Sequence, residues 1–285
     1  ALMRLLLRVS HGSPMNIRVW ALWAAFMTNP FLVDLITALR KDLLILAVFL
    51  VGLEALVAIK WRLFAVSAAV LGTLRLEQGA LLGLGGFVIG ACRFNKWVGV
   101  FGRSRMARLV VLGLPFLLGP IVGGILGEPA PEVLQAYWRD LGEATFGLSS
   151  LLQGSMWGAA AYAWGYPFPK VTAGSVEEFI RSGFALLWFA LTTASLTKVL
   201  GGFGRRRTGW SQNGTRNALE WMFLAAFAGL CLLTIARTAL LGFVVIEARY
   251  KLPLWVLTAV LLRMDSRKGP VGVRFCSPRQ PCAIR

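Results

Sequence analysis

The chain has 285 residues and a net charge of +17 at pH 7, is 57% hydrophobic, and only 15% of it is charged. Soluble domains carry about 25% charged residues, whereas here apolar runs of ~18 residues or more recur, long enough to cross a ~30 Å hydrocarbon layer as helices. A soluble chain of core helices is excluded because the runs are apolar all round, and nucleic-acid binding because no soluble basic patch with stacking aromatics is present.

Two further function classes fall away on residue counts. With a single histidine, His11, the chain cannot supply bis-histidine haem ligation or a His-based zinc site. Its four cysteines, Cys92, Cys231, Cys276 and Cys282, form no C-x-x-C pair and read as isolated thiols.

In chain order, residues 1–16 open on Ala1, as expected of a processed or truncated chain, and form a cytoplasmic N-terminal segment. The stretch "ALMRLLLRVSHGS" is too short and too charged for a span and lacks a signal-peptide cleavage site. Residues 17–126 hold five apolar segments, near 17–39, 43–59, 63–74, 80–92 and 109–126. Asn29-Pro30 should bend or interrupt the first of these. The third and fourth are short, are separated by "RLEQG", and read as a broken or shallow pair. Residues 127–181 form one longer extracytoplasmic segment, 182–263 hold three more spans, and 264–285 are a basic cytoplasmic tail. The expected fold class is therefore all-α: a polytopic, integral-membrane helix bundle of about eight spans.

Lys and Arg set the orientation. With the N-terminus in the cytoplasm, most of the 30 basic residues fall on that side, including Arg4, Arg8, Lys60, Arg62, Arg93, Arg108, Lys198, Arg205 and Arg216. Asp42, Glu77, Glu128, Glu132, Asp140, Glu143, Glu177, Glu178 and Glu247 fall on the other. In the outer segment, Pro131 and Glu132 suggest the start of a short amphipathic helix. The ring-rich "MWGAAAYAWGYPFPK" after it suits the headgroup boundary or an ordinary packed loop.

The stretch "IEARYKLPLW" puts Arg249, Tyr250 and Lys251 on the outer side, against the charge trend. One reading is interfacial anchoring by snorkelling side chains. The other is a phosphate site: Arg249 offers a planar fork, Tyr250 a hydroxyl and Lys251 a point charge. Pro253 then opens the next helix, whose N-terminus also favours an anion.

"ARYKLPLW" resembles the arginine-tyrosine-x-x-proline stretch that opens a late helix in C-type membrane glycosyltransferases of the protein mannosyltransferase and aminoarabinose transferase kind. "NPFLVDLITALRKDLLILAVFLVGLEALV" and "LGTLRLEQGALLGL" are similar to that family's segments opening two earlier helices on the outer side. The resemblance covers about residues 29–90 and 235–263. It implies a polyprenyl-phosphate sugar as donor, Asp42 and Glu77 as catalytic carboxylates, and Arg75, Arg249, Tyr250 and Lys251 on the lipid phosphate. Such a site needs a carboxylate to take the acceptor's proton and cations to stabilise the departing phosphate. No organic cofactor is implied and no metal site is expected; a divalent metal would assist, but the acids show no spacing that demands one. The family's first outer loop has no counterpart here.

Other readings stay open. A non-catalytic subunit of a larger membrane assembly would pack its Trp and Gly surfaces against other membrane subunits or lipids. A transporter would use mid-span Glu54, with Arg75 or Arg237 as partner, and the Asn29-Pro30 break; it lacks visible inverted repeats. Gly86-x-x-x-Gly90 and Gly119-x-x-x-Gly123 allow close helix contact. Cysteines introduced at positions 205 and 140 are expected to label from opposite membrane sides with an impermeant maleimide, 205 from inside; labelling of both from one side overturns the orientation.

Overall fold

The apolar runs fold as helices, and no strand occurs among the described residues. The computed structural model describes residues 1–9, 17–37, 41–94, 105–126, 175–201, 210–241 and 248–264. The helices are α1 (Leu2–Val9), α2 (Ile17–Met27), α3 (Pro30–Thr37), α4 (Lys41–Val57), α5 (Trp61–Leu74), α6 (Leu76–Phe94), α7 (Arg105–Leu126), α8 (Val176–Gly201), α9 (Trp210–Leu241) and α10 (Leu252–Arg263). A 3₁₀ turn, Ala248–Lys251, leads into α10. The Pro131 helix, the ring-rich outer stretch and the basic tail lie outside the described residues.

Among the described residues two helices are long and apolar enough to cross a membrane: α8, with 26 residues, and the 22-residue stretch Gly214–Ile235 of α9. Shorter apolar helices, α2, α5 and α10 among them, end where the chain breaks its own runs. Asn29-Pro30 does so first. The Asn29 side chain accepts from the Phe31 amide at 3.1 Å and its carbonyl accepts from Leu32 and Val33, so Asn29 caps α3 and Pro30 opens it. The second break is tighter than the expected "RLEQG" interruption. Only Arg75 is non-helical there, with an extended backbone (φ −153°, ψ 103°), and Glu77 and Gln78 already belong to the first turn of α6. A carboxylate in that turn complements the helix dipole, which favours starting α6 at once.

Small residues let the reversal close. A Cβ on Gly79 would stand 2.6 Å from the Gly72 backbone, and one on Gly86 would stand 2.7 Å from the Phe64 ring. These two contacts run in opposite directions along the chain, so α5 and α6 form an antiparallel hairpin. Of the expected Gly86/Gly90 pair, only Gly86 makes a close approach; a Cβ on Gly90 meets nothing within 4 Å. Side chains at Gly119 and Gly123 lie outside the described set. The α4–α5 turn closes differently. Lys60 and Ile59 donate back to Ala55 and Leu56, and Ile59 takes a left-handed backbone (φ 59°) that a β-branched residue adopts only under strain.

The core centres on α10. Every residue from Leu252 to Leu261 is buried, enclosed by α1, α2, α4, α8 and α9. Being apolar all round, this helix has no face to give to water. Trp255 stacks on Trp188 of α8 at 5.5 Å, and Trp188 meets Phe26 of α2 edge-on at 6.0 Å. Hydroxyl-bearing residues inside the helices, Ser67, Thr193 and Thr234 among them, donate to the carbonyl four residues back, so their polar groups are met locally.

Helix α1 was not foreseen as part of the core. Leu2, Leu5, Leu6 and Val9 share one face at helical spacing and are buried against α4 and α10, while Arg4 and Arg8 occupy the opposite face.

Gly79→Ala is expected to lower thermal stability in detergent by about 1–3 kcal/mol, because the new methyl meets backbone that cannot turn aside. Gly90→Ala should leave the melting temperature unchanged or slightly raised. Equal behaviour of the two variants would contradict the close α5–α6 approach.

Candidate functional site

The polar side chains of this bundle gather at two levels, and the sequence-predicted residues gather at one of them. Asp42 stands in the first turn of α4, Arg75 at the α5–α6 break, Glu77 in the first turn of α6 and Tyr250 in the 3₁₀ turn before α10. Each comes from the end of a helix, so three separate chain breaks build one cluster. Arg75 is its centre. Its Nη2 donates to Asp42 Oδ1 at 2.6 Å, its Nε lies 3.8 Å from Glu77 Oε1, and its guanidinium sits 5.0 Å from the centre of the Tyr250 ring. The pair with Asp42 is almost wholly buried, whereas Glu77 is exposed. Nη1 of Arg75 has no partner among the described residues.

Arg75, Glu77, Gln78 and Tyr250 form the polar end of a cavity of about 760 Å³. The remainder is apolar. Leu81 and Leu84 of α6 face Ala226, Gly229 and Leu233 of α9, and Pro253 and Leu254 close the N-terminal end of α10. A cavity of this size, with few polar groups at one end, suits an amphiphile with an anionic or hydroxylated head. Asp42 is absent from this wall. It lines a second, very small cavity behind Arg75 together with Leu46, Gln78 and Leu252.

Lys251 does not join the cluster in the same way. Lys251 is buried to 3% exposure and turned away from the cavity wall, and burial pushes its ammonium down to about 7 against a weaker pull from Cys231. A buried lysine of this kind neither snorkels nor presents a free point charge to the cavity. The backbone of Arg249 belongs to the 3₁₀ turn, and its side chain lies outside the described residues. No group of three or more His, Cys, Asp or Glu side chains converges on a metal position among the described residues.

The sequence reading passed over Gln78. It is buried, lines both cavities, and its Oε1 has no hydrogen-bond partner among the described residues. An acceptor held there calls for a donor such as a ligand hydroxyl. Its place in "RLEQG", one position past Glu77, was the available signal.

The second polar level was also missed. Arg108 of α7 meets Glu220 of α9 at 2.7 Å, and Glu220 meets Arg216 at 2.8 Å; Arg108 also donates to the Val199 carbonyl of α8. Glu54 belongs to the same end of the bundle. Its partners are Arg4 and Arg8 of α1, each at 3.7 Å, not Arg75, because Arg75 leaves the far end of α5.

Compared with protein-family models, with characterised proteins and with solved structures, the chain matches none. The reading of the site therefore rests on its own geometry.

Asp42→Ala leaves the Arg75 cation buried without its carboxylate and is expected to cost about 3–5 kcal/mol of stability. The double change Asp42→Leu with Arg75→Leu should recover most of that loss, since no unpaired charge remains. A thermal double-mutant cycle in detergent measures both, and additive losses would contradict the pairing.

Proposed function

We propose that the chain is a multi-pass membrane protein whose cavity at the Arg75 end holds the phosphate of a polyprenyl-linked sugar. In this reading it is a glycosyltransferase of the C-type kind, or a fragment or relative of one. The observation that carries the reading is the cavity itself, cationic and hydrogen-bonding at one end and apolar along the rest.

The membrane placement is supported by the exposed apolar surface. Trp20, Val66, Phe87, Val110, Phe179 and Leu186 stand exposed on five different helices. In water an apolar surface of that extent would drive association; in a bilayer it faces acyl chains. Charge levels closer together than a bilayer's thickness leave at least one of them within the hydrocarbon, where charges must be buried and paired. Asp42 and Glu54 are twelve residues apart on α4, or ~18 Å at 1.5 Å per residue, less than the ~30 Å of hydrocarbon. The inner members of both levels, Asp42–Arg75 and Arg108–Glu220, are buried in protein and paired, as intramembrane charges must be.

In the proposed chemistry Arg75 offers its Nη1 edge to the phosphate, and Glu77, on the cavity wall, takes the acceptor's proton. Asp42, off the cavity wall, positions the Arg75 guanidinium through its Oδ1. Gln78 Oε1 accepts from a sugar hydroxyl, and the apolar wall receives the first isoprene units. With these groups the acceptor oxygen bonds to the anomeric carbon as its proton passes to Glu77, the bond from that carbon to the phosphate oxygen breaks, and polyprenyl phosphate leaves against Arg75, a single inverting displacement. The second reading, a non-catalytic subunit of a membrane assembly, is favoured by the mostly exposed apolar face of α8, which suits a partner's helix as well as lipid.

Arg75→Lys keeps the charge but loses the planar fork, and is expected to lower sugar transfer at least tenfold in membranes at matched protein level. Arg249→Lys tests the neighbouring arginine in the same assay: loss of transfer assigns it to the phosphate, equal activity makes it an anchor. Glu77→Gln should abolish transfer while leaving binding of the polyprenyl phosphate intact. Absence of transfer by the wild type with any polyprenyl-phosphate sugar would favour the subunit reading.

A further inference from the structure

The end of the bundle opposite the cavity presents a basic surface that the proposed chemistry does not use. Helix α1 spends its whole apolar face on the protein core: Leu5 and Leu6 are fully buried, and Leu2 and Val9 nearly so. An amphipathic helix that anchors in a membrane puts that face into lipid. Here it is already covered, and what α1 shows outward is Arg4 and Arg8, one turn apart and 72% and 44% exposed. Their single described counter-charge is Glu54, 15% exposed and 3.7 Å from each guanidinium, beyond hydrogen-bond distance. Neither guanidinium donates a hydrogen bond among the described residues.

The turn that follows Glu54 adds Lys60 and Arg62, both exposed, whose side chains make no hydrogen bond or ion pair among the described residues. Trp61 stands between them, 38% exposed, packed edge-on against Phe64 at 5.9 Å. A tryptophan flanked by free cations is the composition of a bilayer's headgroup layer, where the ring sits at the boundary and the cations reach phosphates.

We propose that this surface is a binding site for acidic lipid headgroups, with Arg4 and Arg8 gripping the phosphate and Lys60 and Arg62 supplying the surrounding field. The proposal rests on the membrane placement argued above and is independent of any glycosyl transfer. Two arginines on a rigid helix, set one turn apart over one loosely held carboxylate, carry an excess charge that an anionic headgroup neutralises. Because the apolar face of α1 is spent on the core, recognition is electrostatic, sensitive to salt and selective for anionic over zwitterionic heads.

The experiment uses the full chain purified in a mild detergent and titrated with phosphatidylglycerol, phosphatidylcholine or inorganic phosphate, with the shift in melting temperature as readout. The wild type should respond to phosphatidylglycerol well below the concentrations needed for the other two, and salt should weaken that response. Arg4→Gln with Arg8→Gln should bind phosphatidylglycerol about 25-fold more weakly, fivefold for each cation at ~1 kcal/mol per cation. Glu54→Gln removes the competing carboxylate without touching the arginines, and should bind more tightly than the wild type. That arm decides the matter if the double variant fails to fold. Unchanged affinity in a folded double variant, no tightening in Glu54→Gln, or equal responses to phosphatidylglycerol and phosphatidylcholine would each overturn the proposal. An equal response to inorganic phosphate would make this a general anion site and overturn it too. Recovery of the chain in the aqueous fraction after an alkaline wash of membranes would instead overturn the membrane placement itself.

Discussion

A guanidinium inside an apolar bundle is tolerated only where a carboxylate meets it, and the arrangement of this chain follows from that requirement. Arg75 with Asp42, and Arg108 with Glu220, are each buried and in contact at 2.6–2.7 Å. Such pairs bring little net stability over apolar residues of similar volume, but breaking one leaves an uncompensated charge that costs several kcal/mol. They therefore act on geometry. The first ties the start of α4 to the α5–α6 break, and the second ties α7 to α9, so helices with interchangeable apolar faces are held in one register. Van der Waals packing of leucines alone would not choose between neighbouring registers so sharply.

The requirement extends to the backbone of α10. A twelve-residue helix buried from Leu252 to Leu261 must have its end groups met within the protein. Lys198 of α8 donates to the carbonyls of Leu261 and Met264, both at 2.7 Å, placing a cation where the helix dipole is negative. At the other end Pro253 removes one orphan amide, and the helix start opens on the cavity between Arg75 and Tyr250. One end of this central helix is thus closed by a fixed cation and the other faces the candidate ligand. This asymmetry, more than any single side chain, distinguishes the open cavity end of the bundle from the closed one.

Much of the architecture was legible in the residues. The helical class follows from long apolar runs, the break at Asn29-Pro30 from the fixed φ and missing amide of proline, and the cluster at the chain reversals from charges that interrupt those runs. Asp42, Arg75, Glu77 and Tyr250 come together because each stops or starts a helix at the same end, and the alternating direction of successive helices carries that information in one dimension. The partners of Glu54 were not legible in this way. Arg4 and Arg8 belong to an eight-residue helix whose leucine face reaches the core, and an amphipathic stretch that short gives no sign of which helices will cover it.

Composition and the order of breaks alone determine that this chain is helical, apolar over most of its length, and polar at the reversals, since each depends only on local residue type and spacing. Which charges pair was decided by the tertiary structure. The distance from α1 to Glu54, from α7 to Glu220 and from Lys198 to the end of α10 depends on how helices far apart in the chain pack side by side. The inward turn of Lys251 and the seat of Asp42 behind Arg75, off the cavity wall, have the same origin. A side chain's direction at the end of a helix is set by the neighbours that crowd it, and those neighbours exist only once the bundle has closed.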